Sequence, residues 1–326
     1  MPPPSWLIRD WLPANSLILF YGEPGSGKTF AALDMASSIA IGQDWNGRKV
    51  KRGVVIYIAG EGVAGLGKRI RAIAAQNPNI YNAPIFTIPS AVDLVDQGDE
   101  IILRASELAG IHGDVVLVIV DTLSRTLGAG REENSNRDMR DYVRAADRIR
   151  EALGCAVVIV HHSGKDAGRG PRGHSSLIGD IDVSIEVTGS GSVHTLVCKK
   201  QKDEGKPEPL VFRLDVVSIG RGTDGETESS CTVNFTGTTT AITKREYPKG
   251  VRQELIARLA ASMLTEPGAA KCPLDQSRPA LAVDALLLGW KATVVGKSAP
   301  SYFRDTLRVM VDRGLLVSDG VLVWLP

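Results

Sequence analysis

Through the first two thirds of the chain, short unbroken apolar runs alternate with segments in which apolar residues recur every three to four positions. The runs are Leu17–Tyr21, Val54–Ala59, Ile85–Ile88, Val115–Val120 and Ala156–Val160. Their length and their richness in Val and Ile suit strands covered on both faces. Between them, Lys28–Ile41 sets Ala31, Ala32, Met35, Ala36 and Ile39 on one helical face. Leu66–Gln76 reads as a helix that stops before Pro78, and Glu100–Ala109 as one that ends at Gly110. Another helix is expected after Asn134 or Ser135, either of which can cap it. Its packing face would carry Met139, Val143, Ala146, Ile149 and Leu153, and Gly154 would end it. Strand and helix in alternation imply a parallel sheet with right-handed crossovers.

The pattern changes after His161-His162. Ile181–Val187 and Val193–Lys199 alternate as strands around Gly189-Ser190-Gly191-Ser192, a hairpin signal, and Pro209–Val217 is a further strand candidate. The parallel core is therefore expected to gain an antiparallel edge. Arg221–Thr240, rich in Thr, Ser and Gly, reads as a loop or a weak β extension. Beyond it, helices are expected at Val251–Leu264, around Ala280–Leu288 and from about Ser301 to Arg313. Leu315–Ser318 and Val321–Leu325 flank Asp319-Gly320, a short-hairpin signature. Helices followed by a hairpin make a winged-helix-like module. The expected division is an amino-terminal segment at 1–15, a main domain at 16–240, a linker at 241–250 and the small module at 251–326.

Composition adds limits. The formal net charge is +1, so no global field advertises a polyanionic partner, and any nucleic-acid contact must come from local basic loops. The four cysteines, Cys155, Cys198, Cys231 and Cys272, are too widely spaced for a zinc pattern. Cys155 and Cys198 fall in or beside strands and read as reduced core thiols. No stretch is long and apolar enough to cross a membrane. The start, Met1-Pro2-Pro3-Pro4, has no apolar signal-type run, which points to the cytoplasm with no membrane partner.

The candidate chemistry starts where the first strand ends. Gly22-Glu23-Pro24-Gly25-Ser26-Gly27-Lys28-Thr29 matches the phosphate-loop pattern in full, between a strand and a helix, with Phe30 next to it. Glycines let backbone N–H groups turn toward phosphates, and the helix start adds partial positive charge. Lys28 is expected to bridge the β- and γ-phosphates of ATP and Thr29 to hold Mg²⁺. Asp121, at the end of the run Val115–Val120, is the second expected metal residue. Glu61 lies just past Val54–Ala59, where a carboxylate could deprotonate the attacking water. Spacing alone does not separate that role from a solvated loop glutamate.

Together these motifs, with Ala59-Gly60-Glu61, Val118-Ile119-Val120-Asp121-Thr122 and Val158-Ile159-Val160-His161-His162-Ser163, resemble the RecA-fold ATPases. Within them the chain looks like the plasmid RepA-type hexameric helicases and related phage AAA-type ATPases. The resemblance covers roughly residues 5 to 218. It implies an α/β fold, a RecA-like P-loop NTPase core with a mostly parallel sheet and an antiparallel edge, to which the winged-helix-like module is appended. It implies that Glu61 is the catalytic glutamate and that His161 or His162 is a polar sensor of the γ-phosphate. The pair Lys200 and Lys202 matches cations that relatives extend into a neighbouring subunit's nucleotide, which implies a ring, expected to be a hexamer. The loops after Asp121 (Arg125, Arg131) and after His162 (Lys165, Arg169, Arg172, His174) correspond to loops that hold single-stranded DNA.

The expected function is therefore a ring-forming, ATP-hydrolysing helicase or translocase acting on single-stranded DNA in replication. One rival is a RecA-like recombination or repair mediator. Another is a nucleotide-switched replication initiator or regulator, acting through the carboxy-terminal module. In that module Tyr302, Arg304 and Arg308 are the candidates to face a duplex, with Phe303, Leu307 and Met310 turned inward. Such modules also dock proteins.

Overall fold

The computed structural model describes residues 5–164, 176–190, 193–221, 225–238, 256, 259–260, 263–264, 270–271, 279–293, 299–312, 316–318 and 322–324. The chain divides into two compact units, Met1–Thr239 and Thr240–Pro326.

The first unit opens with a short hairpin, β1 (Trp6–Ile8) and β2 (Leu12–Pro13). The main strands follow: β3 (Leu17–Gly22), β4 (Val54–Ala59), β5 (Ile85–Ile88), β6 (Val115–Asp121) and β7 (Ala156–His162). Next come β8 (Val183–Ser190), β9 (Val193–Gln201), β10 (Leu210–Arg221) and β11 (Thr227–Thr238). They form one nine-stranded sheet in the order β11-β10-β9-β8-β3-β7-β6-β4-β5. Neighbours from β8 through β5 run parallel, and β9 to β11 add on antiparallel. The helices are α1 (Lys28–Ile41), α2 (Val63–Gln76), α3 (Leu94–His112), α4 (Leu123–Thr126), α5 (Asn136–Leu153) and α6 (Ser176–Asp180).

Period-two alternation feeds a core on each face of the sheet. Ile18 and Phe20 of β3, with Val55 and Tyr57 of β4, join α1 in one core. Leu17 and Leu19, with Val54, Ile56 and Ile58, join α5 in the other. Leu7, Ile8, Trp11 and Leu12 of the opening hairpin are fully buried in the first core. At roughly 1.5–3 kcal/mol per fully buried large apolar side chain, that anchorage outweighs the cost of ordering so short a segment.

Several boundaries differ from expectation, for local reasons. α2 begins three residues early, because Gly62 takes a left-handed φ of 61° and turns the chain straight into the helix. α3 runs from Leu94 to His112, through Gly98 and Gly110. Its start is fixed by Asp93, whose carboxylate accepts from the N–H groups of Val95 and Asp96. The Ser/Thr-rich segment is a full twelve-residue strand, β11, paired along β10. Its small β-branched residues lie on the pleat, while Phe235 packs edge-on to Trp45 with ring centroids 5.1 Å apart. α5 has Ser135 as its cap and Gly154 at its end.

The second unit holds a four-stranded antiparallel sheet in the order β12 (Ala270–Lys271), β13 (Pro279–Ala282), β15 (Leu322–Trp324), β14 (Val317–Ser318). Where one helix is expected around Ala280–Leu288, the chain first pairs as β13 and then turns into the helix Val283–Thr293. A second helix spans Ala299–Asp312. Ile256, Leu259, Ala260, Met263 and Leu264 are helical and share a core with Leu286, Phe303, Leu307 and Met310. Arg304 and Arg308 are exposed. The turn Asp319-Gly320 lies outside the described residues. No helix among the described residues is long and apolar enough to cross a membrane.

Candidate active site

The carboxyl ends of β3, β4, β6 and β7 meet at one edge of the sheet, and the residues just past them build the site. β3 delivers Gly22, which is squeezed against β8. A Cβ there would lie 2.0 Å from the Val187 carbonyl oxygen, so no other residue fits. The loop then turns into α1 through Gly27, whose φ of 91° suits glycine. No side chain caps α1, which leaves the positive end of its dipole facing the loop.

Lys28 is nearly buried, and its Nζ donates to the carbonyls of Gly22 at 3.0 Å and Glu23 at 2.8 Å. Burial lowers its pKa, against the opposing pull of Asp121, Glu61 and Glu23. Asp121 ends β6, 4 % exposed. Its Oδ2 accepts from the Thr29 hydroxyl at 2.9 Å and the Tyr57 hydroxyl at 2.6 Å. Burial raises its pKa, and these two hydrogen bonds oppose the rise.

Glu61 follows β4. The backbone N–H groups of Gly60 and Glu61 donate to the Asp121 carbonyl at 2.7 and 3.3 Å, which ties the ends of β4 and β6 together. The Glu61 Oε1 accepts from Thr122 Oγ1 at 3.0 Å and Arg125 Nε at 3.3 Å. Its Oε2 lies 4.0 Å from His162 Nε2. His162 lines the cavity, and burial followed by the positive charge of Lys28 lowers its pKa, so it is neutral at pH 7. His161 is fully buried and does not line the cavity, because successive strand residues alternate in direction. Of the two histidines, His162 is therefore the one beside Glu61.

These groups surround a cavity of about 300 Å³, with Pro24, Gly25, Gly27, Lys28, Thr29 and Phe30 on one side and Glu61, Asp121, Thr122 and His162 on the other. Ser26 is buried beneath the loop. Thr29 and Asp121 present adjacent oxygen donors, the kind a hard cation prefers. Among the described residues no group of three or more His, Cys, Asp or Glu could hold a metal alone. That fits Mg²⁺, which usually takes one or two protein ligands together with substrate phosphate oxygens.

Other expected residues are placed elsewhere. Lys200 Nζ donates to the Gly179 carbonyl at 3.0 Å, and Lys202 Nζ lies 3.6 Å from Asp182. Neither lines the cavity. Strict alternation does not carry both lysines in one direction, since β9 ends at Gln201 and its pairing with β8 shifts between Ser184 and Ile185. Arg125 is exposed beside Glu61. Arg131 is not a free loop cation: Asp93 and Asp96 hold it at 2.7 Å each, pinning the loop to the start of α3. Lys165, Arg169, Arg172 and His174 lie outside the described residues.

Four contributors escape a reading of the sequence. Tyr57 carries a faint signal, as the polar-tipped residue in a buried run that needs a hydrogen-bond partner. Thr122 carries none. Arg69 lines the cavity with its guanidinium 5.1 Å from the Phe30 ring centroid. His194 of β9 stacks on Phe212 and bonds the Ser26 carbonyl through Nδ1 at 3.0 Å, propping the loop from below. Cys155 and Cys198 are buried, and burial pushes their thiols up to about 12 and about 11, so both are unreactive.

A family model described as an AAA domain matches residues 1–168. Among solved structures, the chain is similar to the ATPase domain of a replicative helicase, at 15% identity over 61% of this chain and 81% of that one, with a TM-score of 0.45. No curated protein matches it.

Proposed function

The chain belongs to the AAA-domain family and is a P-loop ATPase of RecA-like fold, and on that footing we propose that it is a Mg²⁺-dependent, ring-forming translocase or helicase on single-stranded DNA, acting in replication. The observation that carries the catalytic part is the convergence of Lys28, Thr29, Asp121, Glu61 and His162 on one cavity at the sheet edge. ATP would lie with its phosphates in the Gly22–Thr29 loop, where N–H groups, the start of α1 and Lys28 all favour negative charge. Mg²⁺, held by Thr29 and Asp121, would supply charge neutralisation on the β- and γ-phosphates. Lys28 would trade its two loop carbonyls for phosphate oxygens. Tyr57 would keep the Asp121 carboxylate oriented. Glu61 would take the proton of the attacking water through Oε2, while Thr122 and Arg125 steady Oε1. Neutral His162, next to that oxygen, would sense the γ-phosphate.

The DNA part of the reading rests on Arg125. It is exposed on the segment after β6 and touches Glu61, so a polynucleotide that draws on this cation would act directly on the general base. Lys200 and Lys202 would serve a neighbouring protomer, exchanging the partners they hold in their own chain. A linker at 241–250 and a winged-helix role for the carboxy-terminal unit belong to the same proposal, with Arg304 and Arg308 as its contacts to duplex DNA or protein. The test is the ATPase rate with and without single-stranded DNA, paired with a mass determination. A ring whose turnover rises on DNA supports the reading. A monomer whose turnover ignores single strands but which binds duplex tightly would replace it with a nucleotide-switched initiator.

A further inference from the structure

A second cavity of about 300 Å³ lies away from the phosphate loop, walled by α1, α2 and β11. Its polar lining includes Asp34, Ser37 and Thr232, and its apolar lining Ile41 and Ile73. No Lys, Arg or His lines it. Of the cations on the flanking helix, Lys68 and Arg71 pair instead with Glu228.

Three features give this cavity a negative character. Asp34 Oδ2 accepts one hydrogen bond, from Trp45 Nε1 at 2.8 Å, and no charged partner offsets its carboxylate. Burial accordingly pushes its carboxyl up to about 6. The carboxyl ends of α1 and α2 both reach the wall, at Ile41 and at Gln76, and neither helix has a basic residue in its last turn. Finally, the Thr232 hydroxyl is buried without a hydrogen-bond partner, in a residue only 4 % exposed. A buried polar atom left in that state costs about 1–3 kcal/mol, so a ligand that satisfies it has a favourable place to bind.

We propose that this cavity binds a small alkylammonium ligand, such as one end of a diamine or polyamine, with its ammonium between Asp34 and Thr232 and its methylenes along Ile41 and Ile73. An ammonium has three donors and no acceptor, which suits an acceptor-rich lining. A bare metal ion suits it less. There is one carboxylate where a divalent cation wants more, and the space is about ten times the roughly 30 Å³ share of a water molecule. The mouth carries Gln43 and Asn77, already bonded to each other at 2.7 Å.

The test uses the full chain and putrescine, with KCl at matched ionic strength as the control. Calorimetry should show saturable binding of putrescine. Asp34→Asn, which keeps an acceptor for Trp45, should weaken it by about tenfold or more, the scale of losing a charge-assisted hydrogen bond. Thr232→Val should weaken it by a few fold. Hydrogen exchange on the wild-type protein provides a readout independent of any variant: putrescine should protect segments 34–43, 73–77 and 228–234. Absence of saturable binding overturns the proposal, as does protection confined to the phosphate loop or an equal effect of K⁺. Since none of these residues touches the nucleotide cavity, ATP binding by Asp34→Asn should match wild type, so failure here leaves the ATPase reading standing.

Discussion

The two ends of α1 keep opposite company. At its start, Gly27, Lys28 and the uncapped first turn face a loop built for anions. Near its end, Asp34, Ser37 and Ile41 face a cavity with no cation in its walls. One helix dipole thus separates two candidate ligands by sign. The ends differ as much in how their carboxylates are held. Asp121, facing the amino end of α1, is buried but accepts from two hydroxyls and feels Lys28. Asp34 is buried with one indole N–H and nothing charged. A site prepared for catalysis carries its counter-charges with it, whereas the other site leaves them for a ligand to bring.

Breaking the positive end should have the largest effect. Lys28→Ala is expected to bring ATP turnover down by about 10³-fold or more, the scale of removing a preorganised cation from a transferring phosphoryl group. The fold should persist, as judged by an unchanged circular dichroism spectrum. Breaking the negative end should instead stabilise the protein. The Asp34 carboxyl is raised in the fold from 3.8 to about 6. The folded state therefore holds that proton more tightly, and its contribution is fully present below 3.8 and lost as pH climbs through 6. Asp34→Asn removes the loss. Chemical denaturation without amine should show it more stable than wild type by about 1–3 kcal/mol at about pH 8, and by almost nothing at about pH 4.

Smaller changes sharpen the contrast. Tyr57→Phe takes one hydroxyl from Asp121 and should cost about 1 kcal/mol of stability. It should also raise the Mg²⁺ concentration needed for half-maximal turnover, because a carboxylate less well hydrogen-bonded ionises less readily. Arg125→Ala removes an exposed ion pair worth about 0.2–1 kcal/mol. Basal turnover should change by only a few fold, while stimulation by single-stranded DNA should be lost. A variant that kept full stimulation would take Arg125 out of the DNA reading.

What can be read from the sequence follows this contrast too. The phosphate loop is eight contiguous residues, and Asp121 and Glu61 each close an apolar run, so local pattern is enough to find them. The strand alternation likewise reveals the parallel core, because doubly covered strands read as unbroken Val and Ile. The Asp34 cavity is assembled from residues far apart in the chain, and no local pattern marks it. Arg131 looks like a free loop cation in sequence because its partners, Asp93 and Asp96, lie over thirty residues back and meet it only through the fold. β11 reads ambiguously because Ser and Thr suit both loops and pleated surfaces. What decides it is pairing with β10 and the seat of Phe235 against Trp45. The choice between His161 and His162 needs the register of β7.

Glu61→Gln bears most directly on the account. The variant keeps the shape of the side chain and its contacts to Thr122 and Arg125 but gives up the basic oxygen next to His162. Single-turnover hydrolysis, measured alongside equilibrium ATP binding, should show wild-type affinity with the chemical step slowed by about 10²–10⁴-fold, the usual worth of a general base. Hydrolysis at the wild-type rate, with ATP still bound, would contradict it.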